Sequence, residues 1–470
     1  MISALLRRTE SRAGRTTGKI VTTAALVAGL ACAPPSSGPR AKVLVIGIDG
    51  VRPDVLAEVD TPSLDALIAE GSYTDDARTG FPSVSGPGWS SFLNGVWPDK
   101  HGVTDNSFAG ERYAEYPDFL TRIEQAHPDW ETYAVVDWTP LARSETGAPP
   151  LSDAIDHLVV LDGYELGWLE ADDASVDSAT AVLASGDPAA LFVYLGNPDE
   201  TSHQAGSIGP EYRSAIAAAD RHVGRLMDAV RARPTYDDED WLVLVSTDHG
   251  RRPDGGHGGD TAEERTIFYL ASGPSAARGR PEGDVGIVSV VATALAHLGI
   301  DLAPEWDLDG CPVGLRVEGP TDCTATPAPP STQPIVEILE SLPDAWNQRD
   351  ADAWVERFAV ESGFTNILGM HFPDRAANRD RHAQLFATIF ADSRLEAEVL
   401  GVRWAGSDAA VAELEFTLVG YERLPPDVPE TEPGLLRTRL ITVLERRGEE
   451  WVVVAAQNTA ILPAAAATGA

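Results

Sequence analysis

Three apolar runs of strand length mark the first 250 residues, and each ends on groups able to bind a cation. Lys42-Val-Leu-Val-Ile-Gly-Ile-Asp-Gly50 ends on Asp49, Leu191-Phe-Val-Tyr-Leu195 runs into Asn197-Pro-Asp199, and Trp241-Leu-Val-Leu-Val245 runs into Asp248-His249. Runs that are apolar without alternation suit parallel strands covered on both faces. Ligands of such sheets gather at the carboxyl ends of the strands. Between the runs, Thr61-Pro62 opens a helix with Leu64, Leu67 and Ile68 at helical spacing and Gly71 as its stop. A Pro/Gly/Ser turn from Phe81 gives way to a helix ending at Gly95. Tyr133 to Val136 reads as a strand, Trp138 to about Glu170 as irregular, and Ala174 to Leu183 and Tyr212 to Val230 as helices. Arg265 to Ala271 adds a strand and Ile287 to Leu298 a helix. This alternation predicts an α/β fold, a mostly parallel sheet with helices on both faces.

The pattern changes after a Pro/Thr/Ser/Ala-rich linker at 319–334. Ile335, Ile338, Leu339 and Leu342 form a helical stripe, and Asp352 to Phe358 and Arg381 to Phe390 supply two more helices. Val411 to Val419, Thr438 to Leu444 and Trp451 to Ala456 read as antiparallel strands. Residues 335–465 are therefore expected to form a separate α+β domain.

Composition adds compartment and surface. A chain of 470 residues with 43% hydrophobic content has room for two or three cores. Acidic residues outnumber basic ones 72 to 36, which argues against binding duplex nucleic acid and for a strongly solvated surface. Residues 1–32 read as a leader: five basic positions precede Ile20 to Ala31, a stretch too short to span a membrane. Cys32 then resembles a bacterial lipoprotein acylation site, simple cleavage nearby being the alternative, and 33–41 is a tether. The expectation is an exported protein, periplasmic, extracellular or membrane-tethered through Cys32. Export would let the remaining cysteines, Cys311 and Cys323, pair.

The chemistry gathers at the strand ends. With His203 and the Gly-rich Gly255-Gly-His257-Gly-Gly259, the first domain offers three carboxylates and three imidazoles. That donor set suits zinc or a similar divalent transition ion, whereas an all-oxygen set would suit magnesium or calcium. Six such groups and one hydroxyl suffice for two ions roughly 4 Å apart, a pair able to hold the attacking and leaving oxygens of a phosphoryl displacement. Ser83, Ser85, Ser90 and Ser91 all lie at or near the helix start, where capping is the competing role for each. Tyr194 is a candidate for the substrate pocket, with burial in the strand as the alternative.

Taken together, residues 42–318 resemble the alkaline phosphatase superfamily and, within it, the nucleotide pyrophosphatase/phosphodiesterase branch. Ile48-Asp49-Gly50 is similar to the first metal-ligand motif, Pro82-Ser-Val-Ser-Gly-Pro87 to the nucleophile turn, and Asn94 to Asn106 to the stretch that follows it. Pro198-Asp199 through His203, Thr247-Asp-His-Gly250 and Gly256-His257-Gly258 match the other ligand motifs. The resemblance implies Ser85 as nucleophile, Asn106 holding a phosphoryl oxygen, one zinc on Asp199, His203 and His257, and the other on Asp49, Asp248 and His249 beside Ser85. It implies a phosphoseryl intermediate and a small phosphate ester as substrate.

Four departures matter. Ser85-Gly86 replaces the branch's usual threonine and following aromatic residue, which predicts a more open leaving-group pocket. Ser202 stands where glycine often precedes the ligand histidine. Val136 to Arg143 lacks the lysine that monoesterases of the superfamily use, and Trp89 stands where a sulfatase motif needs arginine. The competing readings are a phosphomonoesterase on the same groups and an inactive anion-binding module.

Residues 335–465 resemble the nuclear transport factor 2-like superfamily, especially SnoaL-like members, through Ala345 to Ala351, Asn366 to Met370 and Ala456 to Thr459. The resemblance implies a cone of helices on a curved sheet, used for dimerisation or accessory binding, with Asn366, His371 and Asn458 as candidate pocket residues.

Overall fold

The computed structural model describes residues 39–316, 323–405, 408–426, 428–448 and 450–462. The leader, Cys32 and most of the tether lie outside the described residues, as do 317–322 at the start of the linker.

Seven strands form the first sheet: β1 (Arg40–Ile48), β2 (Ser72–Arg78), β3 (Thr132–Val136), β4 (His157–Val160), β5 (Ala190–Leu195), β6 (Glu239–Ser246) and β7 (Thr266–Ser272). Their order is β2-β7-β6-β1-β5-β3-β4. β1 pairs in parallel with β5 and β6, and β3 with β4 and β5, whereas β7 is antiparallel to β6 and β2. The central position of β1 explains its unbroken apolar run. Val43 and Val45 point into one core and Leu44, Ile46 and Ile48 into the other. At about 1.5–3 kcal/mol for each fully buried aliphatic side chain, both faces hold the strand in place.

Register then fixes what meets at the edge. Ile48 lies opposite Leu195 on β5, and Gly47 opposite Ser246 on β6. The residues that follow, Asp49, Asn197 to Asp199 and Asp248-His249, therefore leave three neighbouring strands side by side.

Two edge strands escape the hydrophobic pattern. β2 reads Ser-Tyr-Thr-Asp-Asp-Ala-Arg with a register shift between Thr74 and Ala77, and β4 is four residues long inside the stretch expected to be irregular. Edge strands bury little, so their sequences need not be apolar. The helix expected near Ala174 runs from Trp168 to Ser185 and starts at Gly167 without a side-chain cap.

The second sheet has β8 (Phe358–Thr365), β9 (His371–Phe372), β10 (Arg394–Trp404), β11 (Ala409–Val419), β12 (Leu435–Arg447) and β13 (Glu450–Ala460), in order β10-β11-β12-β13-β8-β9. Residues Asp352 to Phe358 hold only a short helix, Ala351–Trp354, before β8 begins, and β8 pairs in parallel with β13. The helices Gln333–Gln348 and Arg375–Phe386 supply Ile335, Leu339, Trp346 and Phe386 to a core with Leu414, Phe416 and Leu440 of the sheet. Strict alternation along β11 puts Ala410, Ala412, Leu414, Phe416 and Leu418 on that face.

The described part of the linker is not free. Trp97 Nε1 donates to Thr326 O and Arg265 to Pro329 O, and Cys323 within it forms a disulfide with Cys311. Among the described residues no helix is long and apolar enough to cross a membrane.

Candidate active site

His249 is the hub of the site. Its Nε2 lies 3.2 Å from Ser85 Oγ, 3.3 Å from Asp248 Oδ2, 3.6 Å from Asp49 Oδ1 and 3.8 Å from Asp199 Oδ1. Nδ1–H is placed 3.1 Å from Gly250 O, and His257 makes the same kind of bond to Ser83 O at 3.0 Å. Those carbonyls fix both tautomers, so each Nε2 turns a lone pair toward the carboxylates. The two rings stack at 3.9 Å. His203 completes the outer side, its Nε2 3.1 Å from Asp199 Oδ2 and 3.3 Å from His257 Nε2.

Lone pairs and anions packed this closely repel one another unless a cation stands among them. Asp49 Oδ1 and Asp248 Oδ2 are buried without a hydrogen-bond partner. Burial, then the charges of Asp199 and Asp248, push the Asp49 carboxyl well above the usual range. Burial and Asp199 push Asp248 up to about 7, and burial followed by His257 holds His249 well below the ordinary imidazole value. Donor atoms within 4.8 Å of one another form two groups, Asp49, Asp248 and His249, and Asp199, His249 and His257. Orphaned oxygens beside imidazole lone pairs are what divalent transition ions need, so the donor set fits the metal that the sequence implies.

Ser85 is the first residue of the helix Ser85–Asn94, which ends at Gly95 in the left-handed region. The other serines have structural partners. Ser83 Oγ donates to Gly259 O, Ser90 Oγ to Gly86 O, and Ser91 Oγ pairs with His101 Nε2. Only Ser85 of the four turns its hydroxyl to the metal-type ligands. Asn106 shares the cavity with it and spends Oδ1 on the Gly86 N–H at 2.7 Å, leaving Nδ2 without a hydrogen bond among the described residues.

Gly86 does not open the leaving-group pocket as the sequence suggested. A Cβ there would overlap the Asp105 carbonyl and crowd Asn106 Cα. The 105–106 backbone fills the space that a side chain would take, and glycine is required for that approach. Gly50 is needed for a similar reason: its φ is +64°, and a Cβ would press on Asp199 and Arg251.

Trp89 and Arg251 are contributors that went unread in the sequence, and Tyr194 takes the buried place that was its alternative. Trp89 Nε1–H and the Tyr194 hydroxyl both donate to Asp49 Oδ2, at 2.9 and 2.6 Å. Tyr194 is thus buried and positions a carboxylate, although one edge of it lines the cavity. Arg251, fully buried, donates to Asp199 Oδ1, Ser202 Oγ and Gly255 O. Burial raises Asp199, but Arg251 and His203 outweigh it and hold that carboxyl well below its usual range. The departure at Ser202 was the one sequence signal of this contact. Trp138, Tyr164, Trp168 and Glu200 complete the cavity wall, and Tyr164 meets Trp168 edge-on at 4.9 Å.

Comparison with known proteins agrees with this geometry. Residues 43–254 match the family described as type I phosphodiesterase / nucleotide pyrophosphatase. Human ectonucleotide pyrophosphatase/phosphodiesterase family member 7 is 27% identical over 244 residues, 48% of this chain and 52% of the relative. A bis(5'-adenosyl)-triphosphatase of Bos taurus is 24% identical over 226 residues, 46% of this chain and 48% of the relative. The chain thus spans about half the length of the curated relatives it matches. Among solved structures, murine ectonucleotide pyrophosphatase/phosphodiesterase 5, inactive and in complex with AMP, is similar at 14% identity and a TM-score of 0.44, covering 56% of this chain and 96% of that one. Over residues 43–254 this chain is thus similar to the type I phosphodiesterase / nucleotide pyrophosphatase family.

Proposed function

We propose that this protein is an exported two-zinc phosphodiesterase of the nucleotide pyrophosphatase type that works through a phosphoseryl intermediate on Ser85. The observation that supports it best is the convergence of Ser85 Oγ and three carboxylates on His249 Nε2. Asp49, Asp248 and His249 would hold one ion beside Ser85, and Asp199, His203 and His257 the other. Bound there, the ions supply the positive charge that favours the serine alkoxide and neutralises the departing oxygen.

Ser85 Oγ gives up its proton and attacks phosphorus, and the bond from phosphorus to the ester oxygen opposite breaks. Water then cleaves the phosphoserine, returning the hydroxyl. Asn106 Nδ2 is placed to donate to a non-bridging oxygen as charge builds on it. Tyr164 and Trp168 offer an aromatic wall to a ring on the substrate, in keeping with a nucleotide. Glu200 in the wall, and the absence of any lysine from it, disfavour the second negative charge of a monoester. On this reading Cys32 tethers the protein to a membrane, and residues 335–465 are a SnoaL-like accessory domain, available for homodimerisation.

The test is turnover of the zinc-loaded protein on bis-nitrophenyl phosphate and on nitrophenyl phosphate, with Ser85→Ala as control. The diester should win by about a hundredfold or more, roughly 2.7 kcal/mol in barrier. A faster monoester, or full turnover by Ser85→Ala, would overturn the reading.

A further inference from the structure

We infer that the helix-covered face of the second sheet holds a second, independent binding site, for a small ring-bearing carboxylic acid. A cavity of about 80 Å³, open to solvent at its mouth, lies between the helices Gln333–Gln348 and Arg375–Phe386 and the sheet. It shares no residue with the cavity around Ser85. Trp346, Trp354, Phe364, Phe416 and Leu418 give it apolar and aromatic walls.

Polar groups in those walls point to a ligand. Trp354 is 2% exposed, yet among the described residues its Nε1–H has no partner, and neither Asn458 Oδ1 nor Arg381 Nε has one. Each such group costs about 1–3 kcal/mol while unpaired. His382 Nδ1 is 3.0 Å from Asn378 O, and no hydrogen bond is made to Nε2 among the described residues.

Arg381 decides the sign of the ligand. It is the one charged residue lining the cavity, and no ion pair to it is found among the described residues. An unpaired guanidinium in a chain of net charge −36 is exceptional, because carboxylates abound to pair with it. Its planar fork matches a carboxylate. A ring against Trp354 and Phe416 would use the aromatic walls, while Trp354 Nε1–H and Asn458 Oδ1 remain for a polar substituent.

Asn366 and Asn458 line this cavity as expected, whereas His371 does not. Asn366 lines the cavity but caps its own turn, Oδ1 accepting from Leu368 and Met370 N–H, and His371 lies exposed against Thr365.

The test is calorimetric titration of the zinc-loaded full chain with 2-naphthoate and with the neutral 2-naphthylmethanol. Naphthoate should bind saturably and at least about tenfold tighter than the alcohol. Arg381→Met should erase that preference while keeping the alcohol's affinity and the diesterase rate, and Ser85→Ala should change neither ligand. The inference fails if neither probe binds saturably or if Arg381→Met keeps the preference. It fails equally if naphthoate is displaced by inorganic phosphate, which would place it at the metal-type ligands instead.

Discussion

Arg251 shows how one side chain can carry a charge balance. Its guanidinium stands beside Asp199 within a group of three buried aspartates, and Ser202 and Gly255 hold it there. Removing one partner of a buried pair strands the other, at about 3–5 kcal/mol. Arg251→Met should therefore destabilise the metal-free protein by about that much in urea denaturation. On the proposed two-zinc reading, the loss should shrink with zinc present, because the ions would neutralise the same carboxylates. Equal losses in both states would show that Arg251 serves packing alone. The sequence made Asp49, Asp199, Asp248 and the histidines legible because strand ends and Gly-rich turns mark them. Arg251 and Trp89 were not legible, since an arginine after a turn and a tryptophan in a helix have many more ordinary roles.

At the scale of elements, a buried carboxyl pair ties the helix Trp168–Ser185 to the one that carries Asp199. Asp172 Oδ1 accepts from the Gly196 N–H at 2.9 Å and the Asn197 N–H at 3.4 Å, at the start of the helix Asn197–Ala205. Burial, then the neighbouring Asp172, push Asp137 well above the usual carboxylate range, and burial pushes Asp172 up to about 7. Groups that hold protons more tightly when folded contribute full stability below the unfolded value near 3.8, and lose it as pH rises to the folded value. Stability from this pair should thus fall between about pH 4 and pH 7. Asp137→Asn, which removes the like charge and can donate to Asp172, should match the parent at pH 4. At pH 8 it should exceed the parent by about 1–3 kcal/mol. Urea midpoints at both values, with zinc held constant, decide it; parallel pH curves would exclude a shared proton. The pair was invisible in sequence, because Asp137 and Asp172 are 35 positions apart and meet only where the helix Trp168–Ser185 packs beside β3.

For the whole molecule, the net charge of −36 is the dominant long-range term. Self-repulsion of exposed carboxylates is screened within about 10 Å at 0.1 M salt. Raising sodium chloride from about 0.02 to 0.5 M should raise the Tm by several degrees. A flat or falling Tm would mean that the surface ion pairs, such as Arg213 with Glu58 and Arg225 with Asp177, already balance the field.

By itself the sequence determined the α/β alternation, the central strand and the candidate ligand residues at its end, because burial on both faces and strand-end turns leave local signatures. It also marked the second sheet, through the switch to alternating strands. Tertiary structure decided everything that depends on distant segments meeting. It chose Ser85 among four serines by giving the other three partners, and it filled the space beside Gly86 with the 105–106 backbone. It brought Arg251 to Asp199, and left Arg381 unpaired over an aromatic cavity. Those outcomes depend on which groups are near enough to pair, and proximity between segments far apart in the chain is set by packing and register, not by local pattern.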